Sequence, residues 1–239
     1  MNLRSDRNGL FIEGLVGTSE LGRYLQLKFT EDEIQDTYAR LVDEAKKTAV
    51  SEGGTHLRVF WKLLDRAYKK MPPLKCQRGC AHCCYTGIAA TQLEWDGILN
   101  NVMEKGIDLN QVIKRAERTI NRVREVIRSE KNLEQVDWHR LVINQPCPFL
   151  GDEQACLVYE DRPLDCRLVV AFQDQCVSKK LEHAQQGVVI EEAVGAAVIA
   201  KLQHDQTPKF KRRKFQGVQP LKLLQHWLIL WQKKNKKKK

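Results

Sequence analysis

The arrangement of eight cysteines constrains this 239-residue chain more than any other feature of its sequence. Four of them fall together in the segment Cys76-Gln-Arg-Gly-Cys80-Ala-His-Cys83-Cys84, and the others are Cys147, Cys156, Cys166 and Cys176. Closely spaced thiolates are the usual ligands of zinc and of iron–sulfur clusters. Scattered cysteines would instead indicate small buried side chains. We therefore take all eight as candidate metal ligands.

Spacing within the first group predicts how its thiols can be used. Two pairs, Cys76-x3-Cys80 and Cys80-x2-Cys83, can each close a turn around one ion, and Gly79 permits backbone conformations that other residues resist. Adjacent side chains diverge by about 100° in a helix and alternate sides in a strand, so we do not expect Cys83 and Cys84 to face one ion. Eight thiols can supply two four-cysteine sites, or one cluster with supporting thiols, and spacing leaves both open.

Charged residues surround the second group. Arg162 and Arg167 flank Cys166, with Asp161 and Asp165 beside them. A metal held by four thiolates is anionic, so these guanidinium groups can offset its charge and donate hydrogen bonds to sulfur or to a supporting carboxylate. The alternative is that these charges form ordinary surface pairs.

Two further features bear on the candidate ligands. Pro146 and Pro148 bracket Cys147 and stiffen its backbone. His82 lies inside the first group and can ligate through nitrogen, although we favour a supporting role for it.

Hydrophobic periodicity predicts a mainly α fold, in which helices flank an irregular, metal-nucleated cysteine-cluster core. Helices are expected at 31–50, 56–70, 109–129, 181–203 and 220–232, with a short one after Thr91. Capping-box patterns at Thr30/Glu33 and Thr91/Glu94 indicate two of the helix starts. No convincing alternating strand is visible. We divide the chain into an N-terminal helical region (1–73), a cysteine-cluster metal-binding domain (74–178), a helical support (179–208) and a basic C-terminal helix with a lysine tail (209–239).

Composition indicates the compartment. No run of about 18 apolar residues predicts a membrane span, and the N-terminus lacks the apolar core of an export signal. We expect a cytoplasmic protein, where thiols stay reduced, which argues against four disulfides.

The net charge of +10 belongs to the C-terminus. Residues 209–239 hold twelve Lys and Arg and no Asp or Glu, which leaves 28 basic and 30 acidic residues in the remainder. Such a segment can bind nucleic acid or an acidic surface. We favour a packed helix followed by a solvated lysine tail, because Trp227 and Trp231 fall on the helix's apolar stripe.

Taken in order, these motifs resemble the YkgJ-like cysteine-cluster family, also called CxxCxxCC. The shared residues are Cys76, Cys80, Cys83, Cys84, Cys147-Pro-Phe-Leu, Cys156 with Tyr159, Arg162-Pro163, Cys166-Arg167 and Cys176. The likeness covers about residues 74–178. The chain departs from the family pattern in its first gap, which has three residues rather than two, and at Ala81, where glycine is common.

The resemblance implies a zinc- or iron-chelating domain with a structural, redox or metal-handling role. The vicinal pair and the eight thiols favour iron–sulfur slightly, although two zinc sites would use the same ligands. A related domain occurs in flagellin lysine N-methylases, so a protein-modifying enzyme is the alternative function. A nucleic-acid-associated adaptor that uses the basic tail is the third.

Overall fold

The fold is given by a computed structural model that describes residues 2–6, 9–13, 29–70, 79–169, 189–208 and 221–236. The strands are β1 (Asn2–Asp6), β2 (Gly9–Glu13), β3 (Ala89–Ala90) and β4 (Lys222–Leu223). The α-helices are α1 (Glu31–Glu52), α2 (His56–Tyr68), α3 (Gln92–Glu104), α4 (Leu109–Arg115), α5 (Glu117–Ser129), α6 (Trp138–Val142), α7 (Leu164–Arg167), α8 (Ile190–Ala193), α9 (Gly195–Gln206) and α10 (Leu224–Lys236). Short 3-10 turns lie at His82–Tyr85, Leu133–Gln135 and Tyr159–Asp161. The predicted mainly α fold is confirmed.

Both predicted capping boxes are present. At the start of α1, the Thr30 hydroxyl accepts from the Glu33 N–H, and Glu33 accepts in return from the Thr30 N–H at 2.7 Å. The same reciprocal bonds join Thr91 and Glu94 at the start of α3. Each box satisfies backbone donors that a helix start leaves without partners.

Three of the predicted helices differ from the structure in where they begin or break. The helix predicted at 109–129 is divided into α4 and α5 at Ala116, which has a ψ of 13°. No Gly or Pro marks this break, so the apolar period runs through it without a local signal. The last helix begins at Leu224 rather than near residue 220, because Lys222 and Leu223 form β4. Of the helix predicted at 181–203, residues 181–188 lie outside the described residues, and the described part is divided at Val194 into α8 and α9.

The structure also contains strands that the sequence did not indicate. β1 and β2 form an antiparallel pair with Leu3 opposite Ile12. β3 pairs antiparallel with β4, with Ala89 opposite Leu223. The second pair has only two residues in each strand, which is too short to give a detectable alternation of apolar and polar residues.

The chain folds as two compact units. The first comprises Met1–Leu74 with Gln185–Leu221, and the second comprises Lys75–Ala184 with Lys222–Lys239. In the first unit α1 packs on α2 and α9. Its core includes Leu41, Phe60 and Leu64, none of which exposes surface.

The second unit contains the described cysteines. Its core joins α3, α4, α5 and α10 through Trp95, Ile98, Val112, Phe149 and Leu228. The sulfur-bearing side chains of Cys147, Cys156 and Cys166 pack against this core. Burial of apolar surface contributes about 25 cal/mol per Å² to the free energy of folding. The buried apolar side chains therefore give this unit a hydrophobic core against which the cysteine loops pack.

Trp227 packs α10 against the hydrophobic core of the second unit. It is 4% exposed, its ring stacks on Trp95 with centroids 6.1 Å apart, and its Nε1–H donates to the Ala90 carbonyl at 2.9 Å. Trp227 therefore lies on the buried stripe, as predicted, and is not available for base stacking. None of the helices in the described ranges is long and apolar enough to span a membrane.

Candidate metal centre

The predicted ligands come from separate segments of the second unit. Cys83 and Cys84 lie in the 3-10 turn His82–Tyr85, and Cys166 lies in α7. Cys147 and Cys156 lie in irregular backbone, and Cys80 precedes the 3-10 turn. These six cysteines are free thiols. Cys76, Cys176 and the side chain of His82 lie outside the described residues.

Backbone hydrogen bonds join the first cysteine segment to the second. The Cys147 N–H donates to the Cys84 carbonyl at 2.6 Å, and the Asn144 N–H donates to the Tyr85 carbonyl at 2.8 Å. Asn144 has a φ of 62°, a left-handed conformation that asparagine adopts more readily than most residues. This turn brings residue 147 alongside residue 84.

A narrow hairpin then places Cys156 near Cys147. Leu150 and Cys156 form an antiparallel bridge, and the Gly151 N–H donates to the Ala155 carbonyl at 2.8 Å. A Cβ on Gly151 would lie 3.0 Å from Leu157 Cδ2 and 3.1 Å from the Ala155 carbonyl oxygen. The close approach therefore requires glycine at this position.

Backbone N–H groups donate to two of the sulfurs. The Phe149 N–H donates to the Cys147 sulfur, and the Val158 N–H donates to the Cys156 sulfur. In each case the donor lies two residues after the cysteine. Such bonds favour the charged form of the thiol, which is the form that ligates a metal.

Cys166 is positioned by two carboxylates, the buried Glu94 and the partly exposed Asp165. Glu94, 3% exposed, accepts from the Leu164 N–H at 2.8 Å, at the start of α7. Asp165 accepts from the Ala89 N–H at 2.9 Å. Burial raises the pKa of Glu94 above its usual range, and burial raises the pKa of Asp165 to about 7. The capping box identified Glu94 in the sequence, but its second bond, to Leu164, carried no local signal.

Five thiols influence one another's ionisation. Burial, together with the nearby Cys156 and Cys83, raises the pKa of Cys147 to about 12. Burial and the neighbouring Cys147, Cys83 and Cys156 raise the pKa of Cys166 well above its usual range. Burial also raises the pKa of Cys156. Like charges gathered in a low-dielectric site oppose ionisation, and a bound cation would reverse that effect.

The side chains of the adjacent residues Cys83 and Cys84 do not diverge as expected. The Cys84 thiol donates a hydrogen bond to the Cys83 sulfur, which lowers the pKa of Cys83 and raises that of Cys84. Cys83 also influences Cys147, Cys156 and Cys166. The single 3-10 turn thus brings the two neighbouring sulfurs together, which neither a regular helix nor a strand would do.

Arg162 supplies positive charge to this group. Its guanidinium lowers the pKa values of Cys83, Cys156 and Cys166, against the effect of burial. The guanidinium carbon lies 4.5 Å from the centre of the Tyr159 ring. Arg162 Nε is buried and has no hydrogen-bond partner among the described residues. A buried donor of this kind next to several thiols is suited to an anionic metal–thiolate group.

Arg167 has a different role from Arg162. Its Nε donates to the Arg162 carbonyl at 3.1 Å and its Nη2 donates to the Glu160 carbonyl at 2.7 Å. It is 3% exposed, and its charge also acts on Glu94. Arg167 therefore holds the loop that carries Arg162.

Helix α3 supports the same loop. The Asn101 amide donates to Asp161 at 2.7 Å, and both residues are buried. Lys105 Nζ donates to the Leu157 carbonyl at 3.3 Å and pairs with Glu160 at 2.5 Å. Asp161, expected beside the cysteines, thus joins the loop to α3.

Cys80 is half-buried and is not among the main groups that shift the pKa values of the other five described cysteines. Within the described ranges, no group of three or more His, Cys, Asp or Glu side chains lies in an arrangement that could hold a metal ion as it stands. The five gathered thiols and Arg162 nevertheless have the chemistry that a soft or borderline cation requires.

Comparison with known protein families shows which family the second unit resembles. Residues 75–186 match the model of a family described as "CxxCxxCC: Putative zinc- or iron-chelating domain". These residues are therefore similar to a CxxCxxCC domain. The match confirms the resemblance drawn from the cysteine motifs. Neither the curated proteins nor the solved structures contain a match to the chain.

Proposed function

We propose that the CxxCxxCC domain chelates zinc or iron through its cysteine thiolates. The observation that carries the proposal is that five thiols from three separate segments act on one another's pKa values, and that Arg162 acts on three of them, Cys83, Cys156 and Cys166. The ligands proposed from the structure are Cys83, Cys84, Cys147, Cys156 and Cys166. Cys76, Cys80 and Cys176 remain proposed ligands on the strength of their spacing in the sequence.

The protein's own groups would each contribute to holding the ion. The Phe149 and Val158 N–H groups would stabilise the thiolates of Cys147 and Cys156. Arg162 would offset the negative charge of the thiolate set. When bound, the cation would neutralise its ligands and add its binding free energy to the stability of the fold. These contributions favour a structural or metal-handling role in the cytoplasm.

A series of cysteine-to-serine variants tests the ligand set. Each variant is purified anaerobically, and its zinc, iron and labile sulfide are measured against the unaltered protein. We expect Cys83→Ser, Cys147→Ser, Cys156→Ser and Cys166→Ser to lose most of the bound metal. Full metal content in all four variants would refute the assignment.

The visible spectrum of the same preparations decides between the metals. Brown protein with iron and labile sulfide would identify an iron–sulfur cluster, the finer form of the proposal. Colourless protein with stoichiometric zinc would identify zinc sites. The alternative of a protein-modifying methylase stays a prediction, and retention of a methyl donor on the purified protein would support it.

A further inference from the structure

Helices α5 and α10 of the second unit line a basic cavity. Its volume is about 380 Å³, within the range of about 300–1,000 Å³ that is typical of ligand pockets. Ile113, Ile120 and Ile229 form its floor. Arg124, Arg128, Lys233 and Lys236 surround it. We call this feature the α5–α10 groove.

The four cations of the groove are not neutralised by the protein. No ion pair joins any of them to a carboxylate within the part of the chain that the structure describes. Arg124 is instead held by amides: its Nη2 donates to Gln232 Oε1 at 3.0 Å, and its Nη1 donates to Asn121 Oδ1. These bonds fix the guanidinium across both helices and leave its charge intact. Glu117 is the single acidic residue in the lining.

Helix stability alone does not account for this arrangement. Arg128, Lys233 and Lys236 stand in the last turns of their helices, where cations favour the helix dipole. That effect gives no reason for charges from two helices to meet at one cavity. It also gives no reason for Arg124, which precedes the last turn of α5.

We propose that the α5–α10 groove binds an acidic segment of a partner protein. The carboxylates of such a segment would meet Arg124, Arg128, Lys233 and Lys236, and its backbone would meet the amides of Asn121 and Gln232. Amide side chains both donate and accept hydrogen bonds, as a peptide backbone does.

Nucleic acid fits the lining less well. A phosphate backbone presents acceptors only, whereas a peptide backbone also offers N–H donors to the amide oxygens of the groove. Among the described residues that line the groove none is aromatic, so none can stack on a base, and the nearby Trp227 is stacked on Trp95 in the core. The floor isoleucines are almost fully buried, so recognition would rest on charge rather than on apolar contact.

Two double variants of the full chain test the proposal. Arg128→Gln with Lys233→Gln removes two charges from the groove. Arg118→Gln with Lys234→Gln removes two exposed charges from the same helices outside the lining. Both variants change the net charge equally, so long-range attraction is matched between them. Circular dichroism checks that both remain folded.

Fluorescence anisotropy is measured at physiological salt with a labelled oligoglutamate peptide and an oligothymidylate of equal charge. We expect the peptide to bind, the groove variant to weaken it about fivefold, as the loss of two exposed ion pairs predicts, and the control to stay within about twofold. Equal weakening by both variants would show attraction by overall charge only and overturn the proposal. Tighter, groove-dependent binding of the oligothymidylate, or no binding of either probe, would also overturn it.

Discussion

The backbone N–H of Cys147 lies 2.6 Å from the carbonyl oxygen of Cys84 and donates a hydrogen bond to it. This bond joins the two halves of the cysteine pattern through main-chain atoms, independently of any metal. The second half then continues into the hairpin that carries Cys156. The architecture of the site therefore rests on backbone contacts as well as on side chains, and these contacts can be tested separately.

Gly151→Ala is expected to disturb the hairpin between Cys147 and Cys156. The added methyl would approach Leu157 and the Ala155 carbonyl to 3.0 and 3.1 Å, so the hairpin must open. We expect a loss of about 1–3 kcal/mol in the free energy of unfolding, typical of overpacking, and a lower metal content. Thermal melting and metal analysis of the purified variant measure both effects. Unchanged values would mean that the hairpin does not position the two cysteines.

Glu94→Ala should cost more than the matched change at Glu33. Both residues close a capping box, but Glu94 is buried and also accepts from the Leu164 N–H, whereas Glu33 is exposed. We expect a loss of about 2 kcal/mol for Glu94→Ala and a smaller loss for Glu33→Ala, measured by urea denaturation.

Metal content is the second property in which Glu94→Ala and Glu33→Ala are expected to differ. Glu94 holds the start of α7, which carries Cys166, so Glu94→Ala should lower the metal content and Glu33→Ala should not. Equal metal loss in the two variants would contradict the positioning role of Glu94.

Arg162→Gln is expected to weaken metal binding about tenfold, because residues that support metal ligands commonly contribute that much to affinity. The change removes the guanidinium whose charge acts on Cys83, Cys156 and Cys166. Arg140→Gln removes an equal charge from an exposed position in the same unit and serves as the control. Competition with a zinc chelator measures both affinities. The same affinity in the two variants would show that Arg162 does not act on the metal.

Acid should destabilise the second unit through His226. Burial and the charges of Lys222 and Lys233 lower the pKa of His226 to about 4. The unfolded chain then binds the proton more readily than the folded chain, so this contribution to stability is complete above about pH 6.5 and is lost between about 6.5 and 4. Half-burial and solvent screening limit the effect to about 1–2 kcal/mol.

The variant His226→Gln isolates this effect, since it cannot titrate. The difference in unfolding free energy between variant and unaltered protein should change across that pH window, as measured by urea denaturation at several pH values. A constant difference for His226→Gln across this pH window would contradict the account.

Local sequence signals predicted much of the helical architecture. The Thr30/Glu33 and Thr91/Glu94 patterns located two helix starts because capping depends on residues within one turn. The break at Ala116 was missed because no Gly or Pro marks it in the sequence. The β3–β4 pair was missed because it joins segments that are distant in the chain. The same limit explains why the Glu94–Leu164 bond was not expected.

The candidate site shows the same division between local and distant contacts. Spacing identified the cysteines, and the flanking pattern identified Arg162. The contact of the Cys83 and Cys84 sulfurs contradicts the divergence expected of regular structure, because an isolated 3-10 turn is not part of a longer element. Arg167 was expected to resemble Arg162, but its bonds to the carbonyls of Glu160 and Arg162 make it a support for the loop.

The metal content of the anaerobically purified protein shows most directly whether the gathered thiols hold a cation. Zinc, iron and labile sulfide are measured per chain, and thermal melting is followed before and after treatment with a strong chelator. We predict at least one equivalent of zinc or iron and a marked fall in melting temperature when it is removed, because metal binding contributes to folding. A metal-free protein that is fully folded, and whose melting is unaffected by added zinc or iron, would contradict the account.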